Sequence, residues 1–235
     1  MSAKAVLFDV DGTLVDSVDY HAEAWQHTLE HFGYPQPFEA VRAQIGKGGD
    51  QLLPVFLPKD EIEKHGKEIE KYRRTLFQQY FFHRVRPFPG VRPLFERLMG
   101  DGWVPALASS AKEDELHRYK EICRISDLLK TETTSEDVEQ SKPHPDIFRA
   151  AMKRLGNVRP RDCVVIGDSP YDAQAARKAK IRAVGFLCGG FEEEKLRAAG
   201  CEEIYKHPAD LLEQYEASLF SQLKPGQTAG SMRHS

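Results

Sequence analysis

The 235-residue chain has only four cysteines, Cys123, Cys163, Cys188 and Cys201, and no two of them form a CxxC pair. That spread disfavours a disulfide frame and a zinc site, and fits reduced thiols in a cytosol. No apolar run approaches the roughly 18 residues a membrane span needs. The N-terminus shows no basic region followed by an apolar stretch, so no signal peptide is expected. Neither sign of charge prevails: 33 Lys and Arg against 36 Asp and Glu leave a formal net charge of −3. That balance speaks against nucleic acid or an anionic membrane as partner. There are no internal repeats. The expectation is a cytoplasmic globular protein, a monomer or small homo-oligomer, acting on something small.

What is present is a set of short apolar runs that stop at small or polar residues: AVLFD (5–9), VPALASS (104–110), CVVIGD (163–168) and RAVGF (182–186). Runs of this length suit strands buried on both faces, as in a parallel sheet covered by helices. Helical patterns alternate with them: Val91, Leu94, Phe95 and Leu98 share one face, as do Ile147, Phe148, Ala151 and Leu155 before Gly156. The alternation predicts an α/β fold with a doubly wound parallel sheet. Residues 17–87 break the pattern. Ala22, Trp25, Leu29 and Phe32 recur at helical spacing, and a long helix is expected from near Asp60 to His83. This predicts a helical insert over 17–87 in an α/β core of 1–16 and 88–221, with a polar disordered tail over 222–235.

The stretch VLFDVDGTLVD (6–16) ends a buried-looking strand with two carboxylates, Asp9 and Asp11, one residue apart. Like charges repel by about 4 kcal/mol at 4 Å and an effective dielectric of 20. A metal ion, a shared proton or a nearby Lys would offset that. Three more clusters follow later strand candidates: Ser109 and Ser110, then Lys142 in SKPHPD, then Asp168 with Asp172 four residues on. Ligands of doubly wound sheets bind beyond the carboxyl ends of the strands, so all four clusters should meet in one crevice. Oxygen-only donors favour Mg²⁺ over zinc or copper.

DVDGT, ALASS, SKPHPD and GDSPYD, in that order, resemble the four motifs of the haloacid dehalogenase superfamily. The insert resembles the cap of its phosphoglycolate phosphatase and β-phosphoglucomutase branch. The resemblance implies an Mg²⁺-dependent phosphatase for a small phosphorylated metabolite. Asp9 would be the nucleophile that forms an aspartyl-phosphate. Asp11 would act as acid and base, its backbone carbonyl joining Asp9 and Asp168 at the metal. Thr13 would orient the loop, Ser109 and Ser110 would bind the phosphoryl oxygens, and Lys142 would pair with Asp9 and the phosphoryl group. Asp172 would steady metal-bound water or Lys142. His21 would link cap motion to catalysis, and Lys47 would meet the substrate from the cap.

Plainer roles stay open for several of these: the serines as caps of a helix near Lys112, Asp172 as a first-turn helix acid, His21 as a hinge residue, Lys47 as a solvated Lys. Two departures weaken a mutase assignment. Gly49 stands where the mutases carry a cap Arg, and Gly167 precedes Asp168 where they usually carry Glu. A mutase and a phospho-acceptor signalling module nonetheless remain as alternatives.

Overall fold

The computed structural model describes residues 4–225. Six parallel strands run in the order β5-β4-β1-β6-β7-β8. They are β1 (Lys4–Phe8), β4 (Trp103–Ala108), β5 (Glu132–Thr133), β6 (Cys163–Gly167), β7 (Arg182–Phe186) and β8 (Cys201–Tyr205). The four apolar runs of the sequence fall on β1, β4, β6 and β7. β1 shows why such a run forms an inner strand. Val6 and Phe8 face one hydrophobic cluster and Ala5 and Leu7 the other, so both faces are buried. Phe8 stacks on Phe95 of helix α5 (Val91–Gly100) with ring centroids 4.4 Å apart.

Between Ser17 and Val85 the described chain is built on four helices: α1 (Val18–His31), α2 (Phe38–Arg42), α3 (Gly49–Phe56) and α4 (Lys59–Leu76). They close a third cluster around Ala22, Trp25, Leu29, Leu52 and Ile69. The long helix expected to reach His83 keeps its regular winding only to Leu76. It then widens over Phe77–Phe81 and tightens over Phe82–Arg84, turning Phe77, Phe81 and Phe82 into the sheet's own cluster. A two-stranded antiparallel ladder, β2 (Val15–Asp16) with β3 (Arg86–Pro87), ties the segment's entry to its exit. The pairing is too short to leave a strand pattern in the sequence.

Contacts from this segment place it over the carboxyl ends of the strands. Ser141 receives a hydrogen bond from the Gly48 amide at 2.9 Å and donates to Asp50 through its own amide at 3.0 Å. The Tyr171 hydroxyl donates to the Ala43 carbonyl at 2.7 Å, and Arg42 to that of Gly189 at 3.2 Å.

The chain stays packed further than the boundary expected at 221. Phe220 is buried against Trp103, Leu223 packs on the core, and Lys224 lies 3.2 Å from Asp101. Apolar residues at 219, 220 and 223 supply the face that the polar composition of the stretch conceals. The rest of the expected tail, residues 226–235, lies outside the described residues. No helix among the described residues is long and apolar enough to cross a membrane.

Candidate active site

The register of β1 against its neighbours aligns Phe8 with Leu107 of β4 and Ile166 of β6. Asp9, Ser109 and Asp168 therefore leave three adjacent strands at about the same level. The Asp9 amide donates to the Ile166 carbonyl at 2.9 Å, which fixes where the loop departs. Gly12 then turns it with φ +79°, and a side chain there would run into Asp168. Val10 accepts from the amides of Leu14 and Val15, at 2.8 and 3.2 Å, closing the turn.

Asp9 is 5% exposed and meets Lys142, which is 1% exposed, in a direct ion pair. Lys142 also lies 2.8 Å from Asp172. The Thr13 hydroxyl lies 3.1 Å from Asp168 and 3.3 Å from Asp9, bridging the two carboxylates. Carboxylate oxygens of Asp9, Asp168 and Asp172 all fall within 4.8 Å of one another. Three acids thus face one fixed cation. Burial, opposed by Lys142 and reinforced by Asp172 and Asp11, pushes the Asp9 carboxyl up to about 7. Burial beside Asp9 and Asp172 also holds Asp168 well above the ordinary carboxylate range. Lys142 shifts the other way: burial alone would lower it, but Asp172 and Asp9 hold it above the usual lysine range, firmly charged.

The surplus of negative charge, the oxygen-only donors and the tight approach of Gly12 and Gly189 to Asp168 fit a small hard divalent cation such as Mg²⁺. Asp172 enters this cluster through a helix cap. It is the third residue of α8 (Pro170–Lys178), accepts from the Ser169 hydroxyl at 2.6 Å, and turns its other oxygen to Lys142. The first-turn acid and the Lys142 partner are therefore one residue in both roles.

The carboxylate of Asp11 points elsewhere. It accepts from Ser17 at 2.6 Å and from His21 Nε2 at 2.9 Å. Arg73 lies 3.2 Å from the other ring nitrogen of His21. An arginine can only donate, so Nδ1 accepts and the ring proton sits on Nε2, facing Asp11. Burial would raise Asp11, but His21 beside it and hydrogen bonds from His21 and Ser17 bring it down to about 2. The acidic pair of the motif is thereby split, one member towards Lys142 and the other towards His21.

His21 is further sandwiched by Phe77, ring centroids 3.9 Å apart, and lies 3.2 Å from the Tyr119 hydroxyl. Tyr119 donates to Glu115 at 3.1 Å. Both sit on α6 (Glu113–Cys123), with Leu116 and Cys123 on the same inward face. Sequence reasoning passed over Arg73, Glu115 and Tyr119. The spacing of Leu116, Tyr119 and Cys123 was the available signal, since it places Glu115 one turn before Tyr119 on the buried side.

Ser109 is fully buried and accepts from the Ala111 amide at 3.0 Å. It does not cap α6, whose N-cap is Lys112 with no side-chain bond. Ser110 lines a cavity of about 70 Å³ together with Asp9, Asp11, Trp25, Lys47 and Arg73. Lys47 donates to Gln44 at 2.5 Å, stands 4.8 Å above the Tyr171 ring, and is lowered by partial burial. Asp9, Asp11, His21, Lys47 and Ser110 thus line this cavity, Thr13 and Lys142 contact Asp9, and Asp168 and Asp172 stand behind them.

Comparison with known proteins agrees with this geometry. Residues 6–186 match the family model of haloacid dehalogenase-like hydrolases. A phosphoglycolate phosphatase of Yersinia pestis is 30% identical over 214 residues, covering 89% of this chain and 91% of that protein. A phosphorylated carbohydrates phosphatase of Thermotoga maritima is 27% identical over 215 residues, covering 89% and 96%. The crystal structure of a hydrolase from Pseudomonas syringae superposes with a TM-score of 0.82 at 28% identity, covering 92% and 98%. The chain belongs to the haloacid dehalogenase-like hydrolase family and is an enzyme of its phosphatase type.

Proposed function

We propose that the protein is a phosphatase for a small phosphomonoester, of the phosphoglycolate or sugar-phosphate kind, working through phosphoryl transfer to Asp9. The observation that carries this is the division of the acidic pair. Asp9 is clamped between Lys142 and Thr13, with one oxygen towards each, which aims the carboxylate while leaving it compact. Asp11 sits beside it as a carboxylate held by Ser17 and His21. Asp9 attacks phosphorus with a lone pair, the bond from phosphorus to the ester oxygen breaks, and that oxygen takes a proton delivered by Asp11. Water then attacks the aspartyl-phosphate and gives a proton to Asp11, returning Asp9. The second transfer leaves Asp11 protonated, the form the first transfer needs; the ionised Asp11 described above must take up a proton from solvent as substrate binds to enter the cycle.

Lys142 and the amides and hydroxyls around Ser109 and Ser110 stabilise charge on the phosphoryl oxygens. Asp9, Asp168 and the Asp11 backbone would hold Mg²⁺, which when bound neutralises charge between the anionic nucleophile and the anionic phosphate. The cavity of about 70 Å³ is small. It offers room for a compact group and none for a protein loop. Lys47 and Arg73, both lining it, supply positive charge for a second anionic or hydroxylated part of the substrate.

Gly49, where mutases carry an arginine, instead backs onto the Glu70 carboxylate. A carboxylate there would repel a second phosphate, which favours hydrolysis over a mutase cycle. The test is phosphate release across a panel of phosphorylated metabolites, with and without Mg²⁺. Release that requires Mg²⁺ and prefers small phosphomonoesters is expected. Absence of release from every phosphomonoester, or preference for phosphoproteins, would overturn the reading.

A further inference from the structure

The chain's return to the sheet runs beside a groove of about 620 Å³. Its rim carries Arg86, Arg92, Arg118 and Arg124 together with His83, and no Asp or Glu is among its lining residues. In a chain of net charge −3, four guanidiniums around one concavity need an account.

Arg92 has one. It binds Glu96 at 2.8 Å and Asp127 through two nitrogens at 2.8 and 2.9 Å. The other three have no carboxylate partner among the described residues. Arg86 donates to the backbone carbonyls of His83 and Val85, both at 2.8 Å. Arg118 lies flat on Phe82, 3.5 Å from the ring centroid. Arg124 follows α6 in the left-handed region at φ +55°, so its backbone turns on the groove's edge. Stacking on Phe82 holds the Arg118 guanidinium in place without neutralising it. Two positioned guanidiniums, Arg86 and Arg118, with Arg124 beside them, leave three forks without a carboxylate on one concave wall, which focuses positive potential and suits phosphate oxygens. The volume falls within the roughly 300–1,000 Å³ of small-ligand sites.

We propose that this groove binds an oligophosphate anion, two or more linked phosphates spanning Arg86, Arg118 and Arg124. The shared chemistry is the phosphate chain, whether inorganic or carried by a nucleotide. Arg86 belongs to β3, the return strand of the helical segment, and β3 packs against α6. An anion joining Arg86 to Arg118 would therefore pin the hinge to α6, which also carries Glu115 and Tyr119, the latter 3.2 Å from His21. Occupancy of the groove would hold the helical segment in one position over the acidic cluster. The groove shares no lining residue with the catalytic cavity, so the proposal stands apart from the substrate assignment.

The experiment is calorimetric titration of the full chain, in EDTA and at low salt, with inorganic triphosphate, ATP and, as a control, inorganic sulfate. The same titrations are repeated on Arg118→Gln/Arg124→Gln, whose positions lie outside the catalytic machinery. Saturable binding of triphosphate or ATP is expected, weakened roughly tenfold or more by the double substitution, the scale of lost charge-assisted contacts. ATP much tighter than triphosphate would assign the site to nucleotides, and equal affinity would assign it to the phosphate chain itself. Triphosphate should also slow p-nitrophenyl phosphate turnover in the unsubstituted protein and leave the double variant, with its basal rate unchanged, unaffected. Equal binding by both proteins, no saturable binding, or binding no stronger than that of sulfate would overturn the proposal. Binding without any effect on turnover would overturn the hinge role.

Discussion

Replacing Asp168 with Asn should stabilise the metal-free protein while removing its response to Mg²⁺. Asp168 is 2% exposed and shares a 4.8 Å cluster with Asp9 and Asp172. At that separation and an effective dielectric of 20, each like-charge pair repels by about 3–4 kcal/mol. Lys142 contacts both neighbours and cancels a large part of this. Asparagine can still accept from Thr13, so little is lost in exchange. A net gain of about 2 kcal/mol follows, or a rise in Tm of about 4–8 °C for a chain of this size. The pH dependence has a definite sign. The folded-state carboxyl is raised above its unfolded value, so folded protein binds the proton more tightly and wild-type stability falls as pH climbs from about 4 through the raised value. The variant's advantage should thus be small near pH 4 and grow as pH climbs through the raised value.

Thermal unfolding in EDTA across that range measures this directly. Added Mg²⁺ should then reverse the order, since a ligand at 100 times its Kd stabilises the wild type by about 2.7 kcal/mol. A variant no more stable than wild type at high pH, or one that keeps its Mg²⁺ response, would refute the reasoning.

Three further outcomes follow from the same contacts. Asp11→Asn should slow hydrolysis of alkyl phosphates by roughly 10²–10⁴-fold and p-nitrophenyl phosphate far less, because only the poor leaving group needs the proton; equal losses would contradict the acid role. Gly189→Ala places a Cβ against the Asp168 carboxylate, so it should cost about 1–3 kcal/mol in stability and weaken the Mg²⁺ titration, whereas Gly156→Ala, with open space around it, should leave that titration unchanged. Lys47→Ala should lower kcat/KM for the preferred metabolite by about 1–3 kcal/mol and spare p-nitrophenyl phosphate, which offers no second polar group; an unchanged value for both would place Lys47 outside the substrate's reach.

Much of the fold and of the site is legible in the sequence. β1, β4, β6 and β7 announce themselves because burial on both faces demands unbroken apolar residues. β8, CEEIY, does not: it is an edge strand, and Glu202 faces out to pair with Arg182 at 2.5 Å. β5 and the β2–β3 ladder are two residues long and leave no periodicity to read. Asp9 and Asp168 were marked by their places at strand ends and by a four-motif resemblance, Lys142, in the turn beyond β5, by the resemblance. Glu115 was hidden in a run of acids, EDE, where only the phase of the helix distinguishes the buried member from the solvated ones. Arg73 was hidden likewise in KYRR, a stretch that sequence alone reads as a solvated face. The opposite orientations of Asp9 and Asp11 depend on partners 133 residues away in one case and 10 in the other. Only the fold brings those partners together.

The central claim, that Asp9 carries the phosphoryl group, is tested most directly by single-turnover reaction of Mg²⁺-loaded enzyme with its best phosphomonoester, quenched in acid and followed by peptide mass spectrometry. A transient phosphoryl group is expected on the peptide that holds Asp9, formed no slower than phosphate release, and none in Asp9→Asn, which folds but does not turn over. Full release of phosphate with no phosphoenzyme, or substantial turnover by Asp9→Asn, would contradict it.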